Sequence, residues 1–196
     1  MTPMTPNAAV EILDFWIGEI GPEGWYQGGP ELDERIRSRW QARWTEARAG
    51  GLVPWHATPE GALAYIILTD QFPRNMFRDD PRAFATDGLA LQAAGKTIYR
   101  RWDMRLPEPE RQFFYLPLMH SESQSDQDRC VRLMLTRMPE TGLPNLLHAR
   151  AHREVIRRFG RFPYRNDALR RDSTAEERAF MEAGGYPALV RKLEAA

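Results

Sequence analysis

A chain of 196 residues lies below the roughly 250–300 at which cores usually divide, so one domain spanning 1–196 is expected. Its 42% hydrophobic and 28% charged residues exclude a disordered or fibrous chain. Basic and acidic residues balance at 27 each, and the net charge of 0 excludes the broad basic field of a nucleic-acid binder.

Asn7 is placed to cap a first helix carrying Val10, Ile12, Leu13, Phe15, Trp16 and Ile17, with Gly18 as its stop. A glycine-rich loop follows, in which Trp25 and Tyr26 are expected to be exposed and available to a ligand or a homodimer interface. Leu32, Ile36, Trp40, Trp44 and Ala47 recur at helical spacing and predict a second helix over 31–49, before Gly50 and Gly51. Thr58 ahead of Pro59 opens a third helix, which reaches Phe72. Further helices are predicted over 86–102 and over 108–119, where Pro117 kinks or ends the run. Others run from a Ser125 or Asp126 cap to Met138, from Pro144 to Phe159, from a Ser173–Glu176 capping box, and after Pro187.

No window alternates as a strand does, so the fold class is all-α, with seven to nine helices. Short connections favour antiparallel helix pairs, in a tetratricopeptide-like α–α superhelix or a compact bundle. The start lacks a basic segment followed by a long apolar run, and no stretch approaches the roughly 18 apolar residues of a membrane span. A cytoplasmic protein with no membrane partner is expected. Its lone cysteine, Cys130, is read as a half-buried thiol within a helix.

Charge is unevenly spread. Residues 1–34 hold seven acids and no Lys or Arg, whereas residues 148–171 hold eight arginines against Glu154 and Asp167. This asymmetry suits pairing within the protein or between subunits, or an external anion.

Four stretches carry candidate chemistry. In LTDQFPRNMFR (68–78), Asp70 sits inside an apolar helix and needs a partner or solvent, with Arg74 and Asn75 at hand. The pair is either a polar brace or a substrate-facing Asp–Arg site. FFYLPLMHSE (113–122) ends an apolar helix in His120 and Glu122, a setting for acid–base work or for a structural histidine. His148 and His152 share a helix face, but Ala149 replaces the glutamate of a zinc-protease motif, so no metal is expected. Last, RRFGRFPYRN (157–166) alternates arginine with aromatic residues, and Arg161 and Arg165 suit carboxylate or phosphate. The bland reading of that stretch is a turn whose arginines pair with carboxylates. No phosphate loop, dinucleotide turn or nucleophile elbow occurs, and no cofactor is expected.

LDFW (13–16), the 68–78 and 113–122 blocks, and HREVIRRFGRFPYRN (152–166) with DSTAEE (172–177) together resemble the bacterial domain-of-unknown-function 924 family. The likeness runs over about residues 8–190. It implies one all-α domain of the tetratricopeptide-like helical superfamily and no established activity. The resemblance also implies histidine where this chain has Tyr164, and glycine where it has Arg170.

Two classes of function follow. In one, Asp70 and His120 are catalytic acid–base groups in a polar pocket, where Arg74, Asn75, Glu122, His152, Arg161 and Arg165 hold a small anionic ligand. In the other, the helices present a groove to a peptide or protein without catalysis.

Overall fold

Apolar residues at helical spacing bury one stripe of each helix, and among residues 4–195, which the computed structural model describes, no strand occurs. Nine helices result, all-α as expected. They are α1 (7–24), α2 (Pro30–Arg48), α3 (59–76), α4 (Asp87–Tyr99), α5 (Leu116–Met119), α6 (Gln124–Arg137), α7 (Leu143–Phe159), α8 (Ala175–Glu182) and α9 (Gly185–Glu194). Residues 1–3 and 196 of the expected domain lie outside the described residues.

Two helices run further than their sequence signals allow. α1 begins at Asn7 behind an extended Pro6 without a side-chain cap, passes through Gly18 as π-helix (Asp14–Ile20), and turns only at Gly21. Gly21 takes φ +65, a left-handed conformation in which glycine meets no Cβ penalty. α3 likewise continues past Pro73 to Met76, because a π-helical stretch, Ile67–Gln71, immediately precedes it. An interior proline clashes with the carbonyl four residues back, and the wider π turn moves that carbonyl away.

Other differences have local causes. Pro107 and Pro109 remove amide donors, so the first part of the expected 108–119 helix is a 3-10 turn, Glu110–Phe114. Ser123, not Ser125 or Asp126, precedes α6. The capping box sits one residue later than predicted: Thr174 Oγ1 accepts the Glu177 amide at 3.2 Å while the Glu177 carboxylate accepts the Thr174 amide at 2.8 Å. Pro187 lies in the first turn of α9, where a missing N–H costs nothing.

The chain forms two compact packing units, one through Pro117 and one from Leu118 onward. In the first, α3 is buried almost all round and is contacted by α1, α2, α4 and the 3-10 turn Val53–Ala57. Phe72 meets Trp16 edge-on at 5.4 Å and Phe15 at 6.2 Å; each such buried ring contributes about 1.5–3 kcal/mol. Trp25, expected on the surface, is buried: its indole donates to the Trp16 carbonyl at 2.6 Å and its ring packs on Phe113. Tyr26 alone of that pair is exposed.

In the second unit, α6 and α9 pack on α7. Val155, Ile156, Phe162 and Phe180 form its core cluster, with Phe159, Tyr186 and Leu189 against it. Cys130 is fully buried rather than half-buried, and burial pushes its thiol pKa up to about 12, so it carries no thiolate near neutrality.

Charges pair locally in each unit. Glu19 meets Arg35 and Arg39, Glu34 meets Arg37, and Asp33 meets Arg78. Arg157 pairs with Glu154, Arg161 with Glu177, and Arg171 with Glu122. Among the described residues no helix is long and apolar enough to cross a membrane.

Arg170 adopts φ +53. A side chain in this left-handed region strains the backbone, so Arg170→Gly is expected to raise stability by about 0.5–1 kcal/mol, net of glycine's entropy. Denaturant unfolding checks it; a lower midpoint for the variant would refute it.

Candidate functional site

The site grows out of α7. His148 and His152, four residues apart, share a helix face, while Ala149, Ala151, Val155 and Ile156 anchor the helix in the core. Gly160, at φ +69, ends α7, and a 3-10 turn, Pro163–Arg165, folds the chain back. The Phe162 ring then lies 5.4 Å from His152 and carries the Arg165 guanidinium 4.4 Å from its centroid. Arg165 is 6% exposed. α9 supplies Tyr186, whose ring is 4.6 Å from His152. His120 follows α5, its ring 6.2 Å from that of His152. Gln127 of α6 fixes that turn by donating to the Met119 and Ser121 carbonyls, each at 2.7 Å.

Hydrogen bonding sets the tautomers. His152 Nδ1 lies 2.9 Å from the His148 carbonyl, which only accepts, so Nδ1 carries the proton and Nε2 keeps its lone pair. Tyr186 Oη, 2.6 Å from His148 Nδ1 and 3.1 Å from His152 Nδ1, therefore donates to His148 and accepts from His152. Burial, with Tyr164 nearby, raises the Tyr186 pKa and keeps it a donor.

The surroundings are electropositive. Burial first, then His120, Arg165 and His148, lower the His152 pKa to about 3, against a smaller rise from the His148 carbonyl. Burial lowers His148 as well. Near neutral pH His152 is uncharged.

The other predicted residues have definite partners. Glu122 accepts the Phe162 amide at 2.8 Å and takes Arg171 through both oxygens, at 2.7 and 3.0 Å. Burial alone would raise its pKa, but Arg171 and the amide outweigh that and leave it lowered. Arg161 donates to Glu177 at 2.6 and 2.8 Å and to the Asp172 carbonyl at 2.7 Å. In the first unit Asp70 is fully buried, accepts from Gln71, and lies 3.3 Å from Arg74. Arg74 also reaches Asp87 at 3.0 Å. Asn75 donates to Asp33 at 2.9 Å, and Asp33 further takes Arg78. Burial would raise Asp33, but these two donors leave its pKa lowered. Arg37 donates to the Met76 carbonyl at 2.9 and 3.2 Å and so closes the end of α3.

Of the predicted site residues, His120, His152 and Arg165 thus meet in one cluster of the second unit. His148, Tyr164 and Tyr186 join them, and sequence reasoning did not select these three for a ligand site. His148 and Tyr164 stand inside the motifs already noted, whereas Tyr186 carries no local signal. Among the described residues no three His, Cys, Asp or Glu side chains form a metal-binding group.

Residues 12–185 match DUF924, a bacterial protein family of unknown function. The chain belongs to that family. This DUF924 chain is also similar to the solved structure of a protein of unknown function from Agrobacterium tumefaciens, at 40% identity and a TM-score of 0.82. The likeness covers 89% of this chain and 96% of that one. No curated protein matches the chain. The family match takes in the cluster from His120 to Arg165 and ends at residue 185, just short of Tyr186.

Proposed function

We propose that the second unit of this protein binds a small oxyanion, a phosphate or carboxylate, at Arg165, with His152 and His120 as acid–base groups. The observation that carries this reading is the gathering of two further imidazoles, His120 and His148, the Tyr186 hydroxyl and a largely buried guanidinium around His152. Donors and positive charge held in place before a ligand arrives stabilise an anion without reorganisation.

The same arrangement couples binding to protonation. Burial is the main cause of the low His152 pKa, but an anion beside Arg165 offsets part of the positive charge that adds to it, so Nε2 gains proton affinity when the ligand binds. Binding therefore takes up a proton in the acid range above pH 3, and tightens as pH falls through it. The acid–base role goes to the histidines and not to Asp70, whose carboxylate Gln71 and Arg74 already engage within its own unit.

Inorganic phosphate titrated by calorimetry tests the proposal. Arg165→Gln is expected to weaken binding at least about tenfold, and Arg165→Lys by less, since it keeps the charge and loses the planar fork. Equal affinities in wild type and both variants would refute the proposal.

A further inference from the structure

The first unit contains a cavity that the proposed function does not use. It has a volume of about 340 Å³, inside the roughly 300–1,000 Å³ of small-molecule sites. Its walls come from α3, α4 and the 3-10 turn Val53–Ala57. Gly61 allows the close approach of that turn, because a Cβ there would sit 2.4 Å from the Trp55 carbonyl. The turn brings His56 against Tyr65, ring centroids 4.3 Å apart.

Helix α4 gives the cavity two chemically different stripes. Leu89, Ala93 and Thr97, spaced by four, present an apolar strip, and Gln92, Lys96 and Arg100, also spaced by four, run beside it. Lys96 donates to Gln92 at 3.1 Å, and Arg100 lies over the Trp102 ring at 4.8 Å. Among the described residues, neither cation has a carboxylate within ion-pair distance, whereas most arginines of this unit's other clusters do. Both are close enough to His56 to add to the lowering of its pKa that burial begins. An apolar floor with two uncompensated cations along one edge matches a molecule that is apolar at one end and anionic at the other.

We infer that this cavity binds a small amphipathic carboxylate, its apolar part against Tyr65, Leu89 and Ala93 and its carboxylate on Lys96 and Arg100. The occupant differs from the ligand proposed for the second unit, which needs no apolar portion, and the two sites are separable by variants.

Amide and side-chain NMR shifts of the full chain, followed while octanoate is added, test the inference, with octanol as the uncharged control. Saturable shifts are expected at His56, Tyr65, Ala93 and Thr97 for octanoate, and at least about tenfold weaker binding for octanol. The double variant Lys96→Gln/Arg100→Gln is expected to lose octanoate to the same extent with an unchanged circular-dichroism spectrum, since both side chains are exposed. Arg165→Gln is expected to leave the octanoate-induced shifts at His56, Tyr65, Ala93 and Thr97 intact. Octanol binding as tightly as octanoate, full affinity in the double variant, or shifts confined to the histidine cluster of α7 would each overturn the assignment.

Discussion

Glu177→Ala is expected to destabilise the protein by about 2–3 kcal/mol, seen as a lower denaturant midpoint with an unchanged slope. The carboxylate is 2% exposed and accepts from Arg161 Nε and Nη2, the Thr174 amide and Asn166 Nδ2. Its removal opens the capping box of α8 and leaves the Arg161 guanidinium without its carboxylate. Losing one partner of a buried pair typically costs about 3–5 kcal/mol. The Arg161 side chain is 28% exposed and regains water, which places the loss below that range. Glu154→Ala is the control. It removes a pair that is also bidentate, both contacts 2.7 Å, but lies on the surface, and its midpoint is expected to stay put. Equal midpoints for Glu177→Ala and wild type would contradict the bracing role.

Glu177 also gives stability a pH dependence below neutrality. The Arg161 hydrogen bond above all, with the Thr174 amide, brings its carboxyl down from 4.5 to about 2 despite burial. A carboxyl whose folded pKa lies below its unfolded one stabilises fully above pH 4.5, and loses that contribution as pH falls toward 2.

The larger acid effect at milder pH comes from His152. Its folded pKa of about 3 lies below the unfolded value of 6.5, so the unfolded chain binds the extra proton between those values. Stability is therefore full above pH 6.5 and falls as pH drops toward 3, by at most about 1.4 kcal/mol per pH unit for one group. Between pH 4.5 and 6.5 ordinary carboxylates remain ionised and the histidines dominate. His148 and His56, both lowered, add slope of the same sign. His152→Asn keeps a donor for the His148 carbonyl and removes the titration. Its stability profile is expected to be flatter than wild type over that window, while superimposable profiles would show that His152 does not titrate in the cluster.

The histidine and arginine motifs stood in the sequence; their partners did not. Asp70 needed a partner, and Arg74 was readable at helical spacing, but Asp87 is 17 positions beyond Asp70 and joins only through the packing of α4 on α3. Asn75 and Arg78 meet at Asp33, which the pattern of α2 gave no reason to select. Arg161 and Arg165 look alike in RRFGRFPYRN, yet the capping-box carboxylate of Glu177 takes the first, while Phe162 carries the second toward His152. Helix ends were legible where backbone chemistry is local, as at Thr58, Gly160 and Thr174 within one residue. The π-helical stretches were not, because period-3.6 reasoning treats Gly18 and Pro73 as stops and has no place for a wider turn.

An oxyanion bound at Arg165 is expected to pass its effect to His152. Phosphate calorimetry at pH 5 in two buffers of different ionisation enthalpy measures both parts at once. Saturable binding with net proton uptake is expected; the uptake falls in His152→Asn while binding persists, and it weakens together with binding in Arg165→Gln. Binding with the same proton uptake in all three proteins, or no saturable heat in the wild type, would contradict it.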